Sequence, residues 1–281
     1  MPHAAHYAVS VDDNIWWLAD LTAGDYPSLF DHPFLAVFRR AHEQYGAKVR
    51  LNLFYEITGD APHAQLHRGF NLSMMTDRYK AEFAANADWL HLAFHARGEF
   101  PERPYIASPY EEVAADCELV HREIVRFAGE SSLEMATTVH FGECSTPGRK
   151  ALMDQGIHTL MGYMTLNSAG KPFVSYELTP GEISIVRRRN FWRDERDGMT
   201  YGTIAAVMNL HSPAGIVAQL ERDAAEHPDR SFVEIMIHEQ YFYDDYRHYE
   251  PDFEERVMAG CRWCHEHGMT GIFTEDAAKM N

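Results

Sequence analysis

Cysteine is scarce in this sequence: the four cysteines in 281 residues are too few and too scattered to form a disulfide framework. The one close pair, Cys261 and Cys264, lies in a helical pattern without a second such pair, so we expect two small apolar residues rather than a zinc or redox site. Long apolar runs are also missing, and no stretch approaches the roughly 18 residues that a membrane-spanning helix requires. These absences are typical of a soluble protein from a reducing compartment.

Basic residues are outnumbered, with 25 Lys and Arg against 42 Asp and Glu and a formal net charge of -17. A surface of that sign repels phosphate backbones and anionic lipid, so we expect neither a nucleic-acid partner nor a membrane partner. The N-terminal segment from Met1 to Tyr7 has no basic region followed by an apolar one, which predicts no secretory signal and a cytoplasmic protein. The sequence does not indicate an oligomeric state.

Short β-rich runs alternate with helical patterns along the chain, which indicates βαβ units and a parallel sheet. The predicted strands are 7–11, 48–55, 89–94, 137–141, 159–163, 232–237 and 270–274. The predicted helices are 33–45, 76–85, 109–128, 148–155, 213–226 and 251–267. Residues 172–209 are less regular, with β-like pieces at 173–176, 183–186 and 204–208.

Seven or eight such units, without a Gly-x-Gly-x-x-Gly motif after the first strand, favour a barrel over an open dinucleotide-binding sheet. We therefore predict an α/β fold in which residues 1–281 form a single distorted (β/α)7–8 barrel domain. An irregular insertion is expected at about residues 165–203.

The active site of such a barrel lies at the carboxyl ends of its strands, so the polar residues just after each strand carry the functional information. At or next to these strand ends are Asp12, Asp13, Glu56, His95, His140, His211 and His238. Side chains that ligate metals or transfer protons are thus predicted to meet at one rim, although they lie far apart in sequence.

Two adjacent carboxylates, Asp12 and Asp13, lie at the end of the first strand. One of them can bind a metal while the other accepts a proton. His95 and Glu99, four residues apart on the turn that leaves a strand, can converge on one ion. Imidazole with carboxylate suits Zn²⁺ or another first-row divalent ion. His140 is a further candidate ligand, and His238 is a reasonable general acid or base near neutral pH.

Three other residues are open to more than one interpretation. His91 lies four residues before His95, which is zinc-pair spacing on a helix, but in a strand it faces the packed interior. The aromatic residues Trp16 and Tyr241 can form a wall on which a sugar stacks, with ordinary packing as the alternative.

The residues at these strand ends, taken in chain order, resemble the motifs of the polysaccharide deacetylase (NodB-homology) superfamily, whose domain is a distorted (β/α) barrel. Ser10-Val11-Asp12-Asp13 matches the family's Thr-Phe-Asp-Asp motif. His95-Ala-Arg-Gly-Glu99 aligns with its His-(Ser/Thr)-x-x-His motif, and Ile235-Met-Ile-His238 matches its Leu-x-His motif. The resemblance extends over residues 7–275.

The resemblance implies that Asp13 ligates a divalent metal, that Asp12 is the general base and that His238 protonates the leaving group. This sequence departs from the family pattern at two places. Glu99 replaces a histidine ligand, and His140 stands where the family has a segment of the Arg-Pro-Pro-Tyr type. The third ligand is therefore Glu99 or His140. Zinc is the expected ion, with manganese, iron and cobalt as alternatives.

The predicted function is metal-dependent deacylation of a small-molecule or oligosaccharide substrate, with Glu56, Trp16 and Tyr241 as substrate-binding residues. One alternative is a glycoside or C–N hydrolase that uses Asp12 or Asp13 with Glu56 as a carboxylate pair. The other is an inactive barrel that binds a sugar or a protein partner.

Overall fold

A computed structural model describes residues 5–280 of the chain. Met1 and the three residues after it, part of the segment in which we found no secretory signal, lie outside the described residues, as does Asn281 at the end of the predicted domain.

The strands are β1 (His6–Asn14), β2 (Val49–Phe54), β3 (Leu90–Ala96), β4 (Ala136–Thr137), β5 (Thr159–Gly162), β6 (Thr165–Leu166), β7 (Pro172–Phe173), β8 (Phe191–Arg193), β9 (Thr200–Thr203), β10 (Ala206–Val207), β11 (Phe232–His238) and β12 (Thr270–Gly271). The helices are α1 (Trp16–Ala23), α2 (Pro33–Tyr45), α3 (Pro62–Leu66), α4 (Lys80–Ala85), α5 (Tyr110–Phe127), α6 (Thr146–Asp154), α7 (Pro180–Arg189), α8 (Pro213–Glu226), α9 (Phe253–Glu266) and α10 (Thr274–Lys279).

Among the described residues, β6 and β7 form a small antiparallel hairpin, and the other strands form two sheets that are joined to each other at both edges. One sheet has the order β10-β11-β1-β2-β3 with β12 beside β1, and the other has the order β4-β5-β9-β8. On one side, Leu92 in β3 forms a parallel bridge with Leu133, just before β4. On the other side, residues 200–207 pair first with β5 and then with β11. The described residues therefore form a distorted α/β barrel of seven strand positions, as predicted.

Amphipathic helices cover the outside of the barrel. The helix α5 buries one apolar face, whose residues recur at the helical period and pack against the sheet: Val113, Cys117, Val120, Ile124 and Phe127. The helix α2 starts at a proline in its first turn and ends at Gly46, whose φ of 70° is the left-handed conformation that glycine adopts without strain. Both helices match the ranges predicted from the sequence, 33–45 and 109–128, to within one residue.

Three local predictions are wrong. Residues 183–186, expected to be β-like, lie in α7, which a capping box between Thr179 and Glu182 starts. His140, expected inside the fourth strand, lies in a 3-10 turn after it (His140–Gly142). The closing strand is only two residues long, and Thr274 already begins α10.

Other features agree with their predictions. Cys261 and Cys264 are buried and unpaired on α9. His91 lies in β3 and stacks on Phe273 at 3.5 Å between ring centroids, which is the packing that a strand there predicts. Among residues 5–280, no helix has the length and apolarity needed to cross a membrane.

Candidate metal centre

The carboxyl ends of the parallel strands surround a cavity of about 400 Å³. Asp12 and Asp13 come from the end of β1, His95 from β3, and His238 from the end of β11, while His140 follows β4. Seven of the nine site residues predicted from the sequence line this cavity: Asp12, Asp13, His95, Glu99, His140, His238 and Tyr241.

A bulge at the end of β1 allows both adjacent carboxylates to face the cavity. In a regular strand, neighbouring side chains point to opposite faces. Here the pairing register with β2 shifts between Val11 and Asn14, and Asp13 has a φ of 65° in the left-handed region. The Asn14 amide holds the bulge by donating to the Val11 carbonyl at 2.7 Å and to the Asn52 carbonyl at 3.2 Å. Asn14 was not identified from the sequence.

Asp13, His95 and His140 converge on one point. The Asp13 Oδ1 atom lies 3.0 Å from Nε2 of His95 and 3.2 Å from Nδ1 of His140, and the two imidazole nitrogens are 3.2 Å apart. These separations are close to the roughly 3.3 Å expected between neighbouring ligand atoms of a tetrahedral zinc ion at about 2.0–2.1 Å. The three donors thus have the spacing of a metal-ligand set.

The outer nitrogen of each imidazole is held by a backbone carbonyl. His95 donates from Nδ1 to the carbonyl of Thr138, and His140 donates from Nε2 to the carbonyl of Glu99 at 3.1 Å. Because these contacts place the protons on the outer nitrogens, the inner nitrogens present lone pairs to each other and to Asp13. Three such acceptors at this distance repel one another unless a cation or an extra proton lies between them.

The charges of the buried groups also favour a cation. Asp12, Asp13, Glu134 and Glu234 are all buried, and Arg50 is the buried cation that accompanies them. Burial would raise the pKa of Asp13, but the adjacent imidazoles of His140 and His95, when they carry an extra proton on the inner nitrogen, lower that pKa well below its usual range. Burial would lower the pKa of His95, but Asp12 and Asp13 raise it above its usual value. The centre therefore favours bound positive charge.

Asp12 and His238 line the same cavity as the three converging side chains. They are partners in the parallel pairing of β1 with β11. The amide of Asn52 donates to Asp12 Oδ1 at 2.6 Å, which fixes the carboxylate. His238 donates from Nδ1 to Oδ1 of Asn209 at 2.8 Å, which leaves Nε2 as the nitrogen that can exchange a proton. Sequence reasoning missed both Asn52 and Asn209.

Glu99 lines the cavity, but its carboxylate is not among the three converging ligand atoms. Its contribution to them is the backbone carbonyl that orients His140. Burial, together with the nearby Asp13 carboxylate, raises the pKa of the Glu99 side chain to about 7. The geometry thus favours His140 over Glu99 as the third ligand.

Two predicted substrate residues, and one further strand-end histidine, do not line the cavity. Glu56 accepts a hydrogen bond from Arg97 at 2.9 Å and does not line the cavity. Trp16 is buried and packs edge-on against Tyr243, whereas Tyr241 does line the cavity. His211 is not among the lining residues either. Glu56 therefore does not share the cavity with Asp12 and Asp13, as the carboxylate pair of the glycosidase alternative requires.

Several solved structures match the chain over nearly its whole length. One is the Xyl-CE4 domain of a multidomain xylanase from the hindgut metagenome of Trinervitermes trinervoides, with 11% identity, 99% of this chain and 91% of that chain covered, and a TM-score of 0.46. A second is a family 4 acetyl xylan esterase from Clostridium thermocellum in complex with a cobalt ion, with 9% identity, 98% of this chain and 90% of that chain covered, and a TM-score of 0.47. A third is a CE4 family pseudoenzyme from Bacillus anthracis, with 11% identity, 98% of this chain and 66% of that chain covered, and a TM-score of 0.45.

No protein-family model and no curated protein matches the chain. At identities of 9–11%, the likeness to these three structures concerns the overall fold alone.

Proposed function

We propose that the chain is a divalent-metal-dependent hydrolase that removes an acyl group, acetyl foremost, from a carbohydrate. The observation that carries this proposal is the convergence of Asp13, His95 and His140 on one point, with Asp12 and His238 beside it in the same cavity. Three protein ligands that leave a fourth position open are the usual set of a catalytic zinc site.

Asp13, His95 and His140 would hold the ion, and two imidazoles with one carboxylate fit zinc best. Such an ion supplies Lewis acidity, which lowers the pKa of water and polarises a carbonyl oxygen. The buried Asp13 and Asp12 carboxylates together balance the charge of one divalent ion. This balance accounts for two adjacent anions in a site that is closed to bulk solvent on most sides.

Asp12 and His238 would move the protons of the hydrolysis. Asp12, held by Asn52, would accept a proton from the attacking water as general base. His238, oriented by Asn209, would donate a proton to the leaving amine or alkoxide. A base and an acid on neighbouring strands can act on opposite ends of one scissile bond.

A carbohydrate substrate is supported by the shape and composition of the cavity. Its volume of about 400 Å³ falls within the range of small-molecule sites. The lining includes the aromatic residues Phe141, Tyr163, Tyr241 and Tyr246, which offer ring faces and hydroxyl groups to a sugar. Glu56 and Trp16 are not part of this surface.

The proposal is tested by elemental analysis of the purified protein, followed by a screen of N-acetylated and O-acetylated sugars with the metal found. We expect metal-dependent release of acetate that a chelator abolishes and the metal restores. Metal-loaded protein that releases no acetate from either class would contradict the proposal.

Replacing the proposed base separates proton transfer from metal binding. Asp12→Asn keeps the size of the side chain and an oxygen that can accept from Asn52, so the metal content should not change. Hydrolysis should fall by about 10²–10⁴-fold, the usual contribution of a general base. Acetate release and metal content measured on the same preparation check this, and an Asp12→Asn enzyme of near wild-type activity would remove the residue from this role.

A further inference from the structure

A second group of metal-ligating side chains lies outside the cavity. Asp20 on α1 is approached by His63 on α3 and by His67, which follows the last residue of α3. Oδ1 of Asp20 lies 3.2 Å from Nε2 of His63 and 2.7 Å from Nε2 of His67. None of these three residues lines the cavity described above.

From this geometry we infer that Asp20, His63 and His67 form a second zinc site, which fastens α3 to α1. The two histidines are four residues apart, one on α3 and the other at the residue that follows it, and this spacing of one helical turn places both imidazoles beside Asp20. One ligand atom from each of the three side chains lies within 4.8 Å of the other two. Two imidazoles and a carboxylate are zinc ligands, and they leave one position for water.

The surroundings of the group are those of a metal site. Nδ1 of His63 faces the Asp245 carboxylate at 3.6 Å, and a carboxylate behind a ligating imidazole orients its other nitrogen toward the ion. The other oxygen of Asp20 is held by His32 at 3.2 Å and by the Tyr243 hydroxyl at 3.1 Å. The group is thus supported on the side away from the expected ion.

Charge and access both favour a cation there. The imidazole of His63 lies between two carboxylates, those of Asp20 and Asp245, and a cation at this point would balance their charge. The side chains of Asp20, His63 and His67 are 16%, 12% and 12% exposed, which allows an ion to enter from solvent.

The short helix α3 needs such an attachment. Ala64 is its single buried residue, while Leu66 is 72% exposed, so hydrophobic burial holds this helix only weakly. The contacts of His63 and His67 with Asp20 connect α3 to α1. An ion shared by the three side chains would replace these two contacts with coordinate bonds.

The test is the zinc content of chelator-treated protein that has been reloaded with Zn²⁺ and desalted. We expect two zinc ions per chain in the wild type and one in His67→Gln, whose amide keeps a hydrogen-bond donor for Asp20 but removes the imidazole. His95→Ala should also hold one, and the double variant none. His158→Ala, which removes an exposed histidine elsewhere, should still hold two.

Thermal unfolding gives a second readout that does not depend on hydrolysis. Zinc should raise the melting temperature of His95→Ala and should not raise that of the double variant. A His67→Gln protein with undiminished zinc, or a wild type whose zinc is entirely lost in His95→Ala, would overturn the second site. If only the cavity site fails, His95→Ala keeps the full zinc content while His67→Gln still loses one ion.

Discussion

Asp13→Asn is expected to lose one equivalent of divalent metal per chain and to lower acetate release by more than about 10⁴-fold. General acid–base catalysis alone contributes about 10²–10⁴-fold, and losing the ion removes the activation of both water and carbonyl as well. The substitution exchanges an anionic ligand for a neutral amide of the same size. The amide can also donate to the inner nitrogens of His95 and His140, so the fold should persist without the ion.

The neighbouring substitution Asp12→Asn is the matched control, because it removes one negative charge from the same strand end without touching the two histidines. Elemental analysis and circular dichroism of both variants should show the same fold and a difference of one metal ion between them. If Asp13→Asn held as much metal as Asp12→Asn, then Asp13 would not be a ligand.

Much of the fold could be predicted because its helices carry strong local signals. The apolar period of α5 and the proline and glycine at the ends of α2 are independent of tertiary contacts. The region of α7 was misread because Ile183 and Val186 favour strands by propensity. The capping box formed by Thr179 and Glu182 was the overlooked signal for a helix.

The convergence of the ligands followed from topology, since parallel strands end at the same rim. What strand alternation could not predict was that Asp12 and Asp13 share one cavity. That depends on the bulge that Asn14 holds through two backbone carbonyls. Glu56 also ends a strand, but its pairing with Arg97 lies outside the cavity, and only the three-dimensional contacts could distinguish it.

The strand β2 shows a further limit of sequence patterns. Val49, Leu51 and Leu53 alternate with polar residues, which predicts one apolar face and one polar face. In the barrel all six residues of β2 are buried. Arg50 and Asn52 therefore lie in the interior below the metal centre, where Arg50 donates from Nε to the Asn52 side chain at 3.1 Å.

Arg50→Met should lower the free energy of unfolding by about 3–5 kcal/mol, the range for removing one partner of a buried ion pair. Arg50 is 1% exposed, lies 2.8 Å from the Glu234 carboxylate and is also 3.6 Å from that of Glu134. Methionine fills similar space but leaves two carboxylates buried without their cation. Chemical denaturation, monitored by fluorescence, measures the loss.

The exposed pair of Arg40 with Glu254 provides the control. Its contact, at 2.6 Å, is as short as that of Arg50 with Glu234, but the two side chains are 41% and 45% exposed, so Arg40→Met should lower the free energy of unfolding by at most about 1 kcal/mol.

Burial raises the pKa of Glu234 even beside Arg50, and removing Arg50 raises it further. In Arg50→Met the Glu234 carboxyl is more easily ionised in the unfolded chain than in the folded one. The loss of unfolding free energy in this variant should therefore grow as the pH rises and shrink in acid. Equal losses in the two variants, or a deficit independent of pH, would mean that burial of the charges does not determine the cost.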